Sequence, residues 1–108
     1  MVNSIGVDIE EVKRFKNTKN HFLNLIFTKR EIKYCKSKKK PYISFAGKFC
    51  AKEAVIKAYS KKIPIKDIEV VNLKSDKLEV RIRGKPAKRI NCSISHTNNY
   101  AIAFVVIN

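Results

Sequence analysis

Residues 45–58, FAGKFCAKEAVIKA, decide how the rest of this chain is read. Beyond Gly47 the run is dominated by Ala, Lys and Glu, which cost little in a helix, and Phe45, Phe49 and Ile56 recur on one face at helical spacing. The spacing predicts a helix whose apolar stripe packs inward. At 100° per residue, Glu53 and Lys57 fall together on one flank of that stripe, beside the small residues Ala46 and Cys50, and Lys48 falls on the opposite flank. By itself the Glu53–Lys57 pair is an ordinary surface ion pair, worth roughly 0.2–0.5 kcal/mol.

Working toward the N-terminus, Lys36–Lys40 is a self-repelling basic cluster and Pro41 disfavours helix at Lys40, so a loop is expected before the central helix. Thr28 and Glu31 have capping-box spacing and start a short helix that runs to about Cys35. In SIGVDI, residues 4–9, Ile5, Val7 and Ile9 alternate with Gly6 and Asp8, the period of a half-buried strand with Asp8 pointing away from the core. Ile9, Val12 and Phe15 then change to helical spacing, and Asp8 with Glu11 fits a helix cap worth about 1 kcal/mol. Residues 13–20, KRFKNTKN, read as a solvated basic face.

Toward the C-terminus the pattern becomes β. Runs at Ile65–Val71 and Leu78–Ile82, separated by the turn-like Lys74-Ser75-Asp76-Lys77, suggest a hairpin. Ile90, Cys92 and Ile94 alternate with polar residues, the turn 96–99 follows, and the apolar run Tyr100–Ile107 reads as a central strand. His96 lies at the strand end.

The chain is 108 residues with 24 basic and 9 acidic residues, formally +15, which predicts a positive surface and an anionic partner. Its length suits one domain, 1–108, with a modest core, for which oligomerisation is a reasonable expectation. Three cysteines, Cys35, Cys50 and Cys92, with no CxxC spacing argue against a disulfide framework and a zinc site, and so for a reducing compartment. No signal-peptide pattern or membrane-length apolar run occurs, so the expectation is a soluble cytoplasmic protein that does not engage a membrane.

Three blocks, GVDIEEVKRF at residues 6–15, GKFCAKEAVIKA at 47–58 and SISHTNNYAIA at 93–103, together resemble the holo-acyl-carrier-protein synthases, the small 4′-phosphopantetheinyl transferases. The resemblance implies an α+β single domain with an N-terminal strand and helices packed on a mainly antiparallel sheet. It implies transfer of 4′-phosphopantetheine from coenzyme A to a serine of an acidic apo-acyl carrier protein in fatty acid biosynthesis, and a homotrimer with coenzyme sites between subunits. Onto this chain it carries Asp8 and Glu53 as Mg2+ ligands, Lys57 against the reacting phosphates, and Lys39, Lys40, Lys48 and His96 toward the nucleotide. Arg14 matches the residue that docks the carrier's acidic helix. Such chemistry needs these residue types, because a diphosphate requires neutralisation by a hard cation held by carboxylates and water. Glu53, directly or through water, is the candidate acceptor of the serine proton.

The chain departs from the family pattern at Ser60–Pro64, where the family has a glycine-rich loop, and at Lys48, commonly arginine. Two rival readings exist. A Cys50–His96 nucleophilic pair would need an activated thiol, and Cys50 lies mid-helix in an apolar context. A small basic nucleic-acid-binding module would fit the charge, but Phe45 and Phe49 sit at core spacing and not on a strand face where bases stack.

Overall fold

The computed structural model describes residues 2–108. Its central element is the helix anticipated from FAGKFCAKEAVIKA, which runs from Pro41 to Ala58 (α3). The helix starts earlier than the apolar spacing suggests because Pro41 occupies its first turn, where the missing N–H costs nothing and the fixed φ suits a helix. Lys36–Lys40 and Pro41 therefore separate two helices: α2, Lys29–Lys36, ends at the cluster and α3 begins beyond it. A short α1, Asn20–Ile26, precedes them.

Instead of one apolar stripe, α3 is buried continuously from Phe45 to Lys52. A three-stranded antiparallel sheet packs along it, formed by β1 (Ser4–Glu11), β6 (Tyr100–Ile107) and β5 (Ile90–His96), with β6 in the middle. A second antiparallel sheet, β2 (Ile68–Asn72), β3 (Leu78–Ile82) and β4 (Lys85–Pro86), carries the anticipated hairpin. The architecture is α+β, as the blocks imply.

Two expectations at the N-terminus are overturned. The strand does not give way to helix near Asp8 but pairs with β6 as far as Glu11, and only Val12–Phe15 form a short 3-10 turn, with no side-chain cap. The faces of β1 are also reversed. Ile5, Val7 and Ile9 are 59%, 48% and 60% exposed, while Gly6 is buried and Asp8 and Glu10 are half-buried against α3. The cause is Gly6: a Cβ there would lie 2.0 Å from the carbonyl oxygen of Ala54, so only glycine lets β1 approach α3 this closely. Hydrophobic alternation alone assigned the wrong face because the outer side of the sheet, with Ile102 and Phe104 of β6, is itself apolar.

Thr28 and Glu31 form the expected capping box, and the Glu31 side chain goes further into the core. It bonds the buried Lys52 ammonium at 2.6 Å and accepts from the backbone N–H of Val70 at 2.8 Å, while Lys52 also donates to the carbonyl of Ile26. One fully buried ion pair thus ties α1, α2, α3 and β2 together. Phe15, Phe27, Phe45 and Phe49 pack as tilted or edge-on ring pairs inside the core, which removes them as a base-stacking surface.

Candidate active site

Asp8 is brought to α3 by the reversal of β1. Its Oδ1 accepts from Lys57 Nζ at 3.2 Å, and the same ammonium donates to the Val7 carbonyl at 2.9 Å. Asp8 Oδ2 is buried with no hydrogen-bond partner among the described residues. Lys57 therefore pairs with Asp8, not with Glu53 as the helical spacing suggested, and Glu53 is half-buried without an ion-pair partner among the described residues. Cys50, Glu53 and Lys57 lie along the flank of α3 that faces β1, at three- and four-residue steps.

Two further groups bear on the site: Glu10, missed in the sequence, and Cys50, weighed there only as a nucleophile. Glu10 shares the inward face of β1 with Asp8 and accepts from Arg14 Nη1. Burial and the neighbouring Asp8 push the Glu10 carboxyl above the ordinary range, against the pull of Arg14. Extending the alternation of β1 past Ile9 would have found Glu10. The second is the Cys50 thiol, near enough to Asp8 and Glu10 to feel both charges; burial first, then those charges, push it up to about 12. Its Sγ donates to the Ala101 carbonyl at 3.2 Å. A protonated, hydrogen-bonded thiol is no nucleophile, so the Cys50–His96 reading finds no support.

A cavity of about 570 Å3 opens at the other edge of the sheet, between α3, β5 and the β2–β3 hairpin. Lys48, Asn72, Cys92 and His96 are among its lining. Lys48 is almost wholly buried and donates to the Val70 carbonyl at 2.6 Å and to Asn72 Oδ1 at 2.7 Å, with its ammonium 4.6 Å from the Tyr34 ring centre. Burial lowers its pKa. His96 is exposed where it lines the cavity, and its ring lies 3.3 Å from the Thr97 carbonyl. Lys39 and Lys40 are exposed in the loop before α3 and do not line the cavity. Arg14 is exposed on one side and packs its guanidinium over the Phe49 ring at 5.4 Å.

The predicted residues thus fall into two groups in one chain. Asp8, Glu53 and Lys57 lie toward the β1 edge and Lys48 and His96 toward the β5 edge, with β6 between those two strands, whose axes are roughly 10 Å apart.

As a cation site, the β1 edge offers oxygen donors of a hard-metal kind and a buried carboxylate oxygen that lacks any other partner. No group of three or more His, Cys, Asp and Glu side chains is placed to hold a metal among the described residues. Two carboxylates completed by water suffice for Mg2+, so the residues fit it.

A sequence profile of the 4′-phosphopantetheinyl transferase superfamily matches residues 4–105. A holo-[acyl-carrier-protein] synthase of Thermodesulfovibrio yellowstonii is 45% identical over 113 residues, covering 99% of both chains. One from Halothermothrix orenii is 41% identical, covering 98% of this chain and 97% of its own. The fold is shared with the Bacillus anthracis holo-(acyl-carrier-protein) synthase solved in complex with CoA (3′,5′-ADP): TM-score 0.84, 31% identity, covering 99% of this chain and 96% of that one. The Neisseria meningitidis enzyme superposes with a TM-score of 0.85 at 27% identity and covers 100% of this chain and 99% of its own. The chain belongs to the 4′-phosphopantetheinyl transferase superfamily and, within it, to the holo-[acyl-carrier-protein] synthases.

Proposed function

We propose that this protein transfers 4′-phosphopantetheine from coenzyme A to a serine of apo-acyl carrier protein, in fatty acid biosynthesis, leaving adenosine 3′,5′-bisphosphate. The observation that carries this reading is the buried, unpartnered oxygen of Asp8 beside the Lys57 ammonium, in a chain of this family. Asp8 and Glu53 are the residues that would hold Mg2+. Bound there, the cation would neutralise the diphosphate and favour in-line attack. Lys57, held by Asp8, would stabilise charge on the phosphates, and Glu53 would take the serine proton. Lys48 and His96 serve the nucleotide end. Lys48 does so with the one ammonium proton left after Val70 and Asn72, which makes it a fixed charge at the cavity wall. Lys39 and Lys40, exposed and outside the cavity lining, would meet the phosphates of the nucleotide. Arg14 receives the acidic carrier.

Since the phosphate-end and nucleotide-end residues lie at opposite sheet edges, the working site is completed between subunits, one supplying Asp8, Glu53 and Lys57 and its neighbour Lys48 and His96. The apolar outer face, Ile5, Val7, Ile9, Ile102 and Phe104, supplies a surface for such a homotrimer. The free cysteines suit the cytoplasm. No described helix is long and apolar enough to cross a membrane.

Incubation with coenzyme A, Mg2+ and apo-acyl carrier protein, followed by mass spectrometry, should show the carrier gaining phosphopantetheine. An unmodified carrier in the presence of folded protein refutes the reading. Tight, salt-sensitive RNA binding with no effect of Mg2+ or coenzyme A would favour the nucleic-acid-binding alternative.

A further inference from the structure

Four charged side chains form a row along the inner edge of β1. Arg14 Nη1 donates to Glu10 Oε1; Glu10 and Asp8 are neighbours on one face of the strand; Lys57 Nζ donates to Asp8 Oδ1 at 3.2 Å. The order is cation, carboxylate, carboxylate, cation. Like charges held side by side repel unless each has compensation, and here the two cations supply it from the ends. The ends differ in reach. Arg14 is 53% exposed while Glu10 is 14% exposed, so a partner in solution can take Arg14 but hardly Glu10. Among the described residues, the Arg14 guanidinium is otherwise held only by contacts over the rings of Phe49 and Phe15, at 5.4 and 5.9 Å, which leave its outward donors available.

We infer that Glu10 is a positioning residue that couples carrier docking to cation binding: an acidic partner that draws Arg14 away leaves the Glu10 charge facing Asp8, and a divalent cation becomes its compensation. The inference rests on the function proposed above, with Arg14 as the docking residue and Asp8 at the cation. Without a partner, Arg14 cancels Glu10 and the edge carries less net negative charge. With the partner engaged, Asp8 and Glu10 together repel each other and attract Mg2+. Linkage makes the effect reciprocal, so the cation strengthens carrier docking by the same factor that the carrier strengthens cation binding. Docking of the protein substrate thus readies the site before coenzyme A is cleaved. Glu10 itself need not touch the cation.

The test is calorimetric titration of Mg2+ into the full chain, alone and with saturating apo-acyl carrier protein whose acceptor serine is replaced by alanine, with no coenzyme A present. The carrier should tighten Mg2+ binding about tenfold, within the usual range of coupling between sites. In Glu10→Gln the tightening should vanish; the same tightening in folded Glu10→Gln overturns the inference. Arg14→Ala gives a second reading that survives a Glu10 variant that fails to fold. It should bind Mg2+ more tightly than wild type without any carrier, and an unchanged affinity again overturns the inference. If wild type binds both Mg2+ and carrier but independently, the coupling is wrong and the proposed function stands. If it binds neither, the proposed function fails, and this inference with it.

Discussion

The orphaned oxygen of Asp8 makes a demand at the scale of single residues, since a buried carboxylate oxygen without a donor costs free energy that a bound cation would return. Asp8→Asn and Glu53→Gln should each suppress transfer strongly while leaving the circular dichroism spectrum and melting transition near wild type. Full transfer by folded Glu53→Gln would remove the cation site as drawn. A different carboxylate sets acid stability. Glu69 is buried on β2, and bonds from Arg30 and Thr28 outweigh the effect of burial and hold its pKa below the ordinary value of 4.5. A depressed carboxylate contributes stability above its unfolded pKa and loses it as pH falls through the folded one. Glu69→Gln should therefore cost about 1–3 kcal/mol at pH 7 in urea titration, and the gap to wild type should close as pH falls below 4.5. A constant gap down to the acid limit would show that the charge of Glu69 is not what matters.

At the scale of elements, the legible and illegible parts of the fold separate by cause. The central helix, the Thr28–Glu31 cap, the hairpin and the β5–β6 pair were readable because each rests on local periodicity or a short capping pattern. The side of β1 that faces inward was not, since both faces of the sheet carry apolar residues and the choice is made by a contact with Ala54, 48 positions from Gly6 along the chain. The partners of Glu31 and Lys52 were hidden for the same reason: long-range pairing of two charges in a core leaves no mark on sequence spacing. Of the candidate site, the residue types and their blocks were legible, but the bond of Lys57 to Asp8 and the presence of Glu10 depend on how β1 lies on α3. The close approach itself can be tested. Gly6→Ala places a methyl carbon against a backbone carbonyl that cannot rotate away, so β1 must lift from the helix, at a cost of about 3 kcal/mol or more. Transfer should fall with stability, because the same movement carries Asp8 from Lys57. A melting temperature within a degree or two of wild type would show that strand and helix are not so closely apposed.

At the scale of the whole molecule, the separation of Asp8, Glu53 and Lys57 from Lys48 and His96 by a three-stranded sheet argues that one chain does not enclose a complete site. A ring of three copies would bring the β1 edge of each to the β5 edge of the next, and would cover the apolar outer faces at the same time. Activity should then fall on dilution in step with dissociation of the oligomer, followed by sedimentation and assay at matched concentrations. Complementation is a sharper test. Glu53→Gln removes a carboxylate from one edge, and His96→Ala removes an exposed imidazole from the other, so each variant should be nearly inactive by itself. If the two variants are unfolded and refolded together in equal amounts, each site draws its two halves from neighbouring chains independently. In random closed rings, about one site in four then combines an intact Glu53 from one chain with an intact His96 from the next. The mixture should recover about a quarter of wild-type transfer, and the variants refolded separately and then mixed without exchange should recover none. No recovery after verified co-assembly would mean that Glu53 and His96 of the same chain serve the same site, and the subunit-spanning cleft would have to be abandoned.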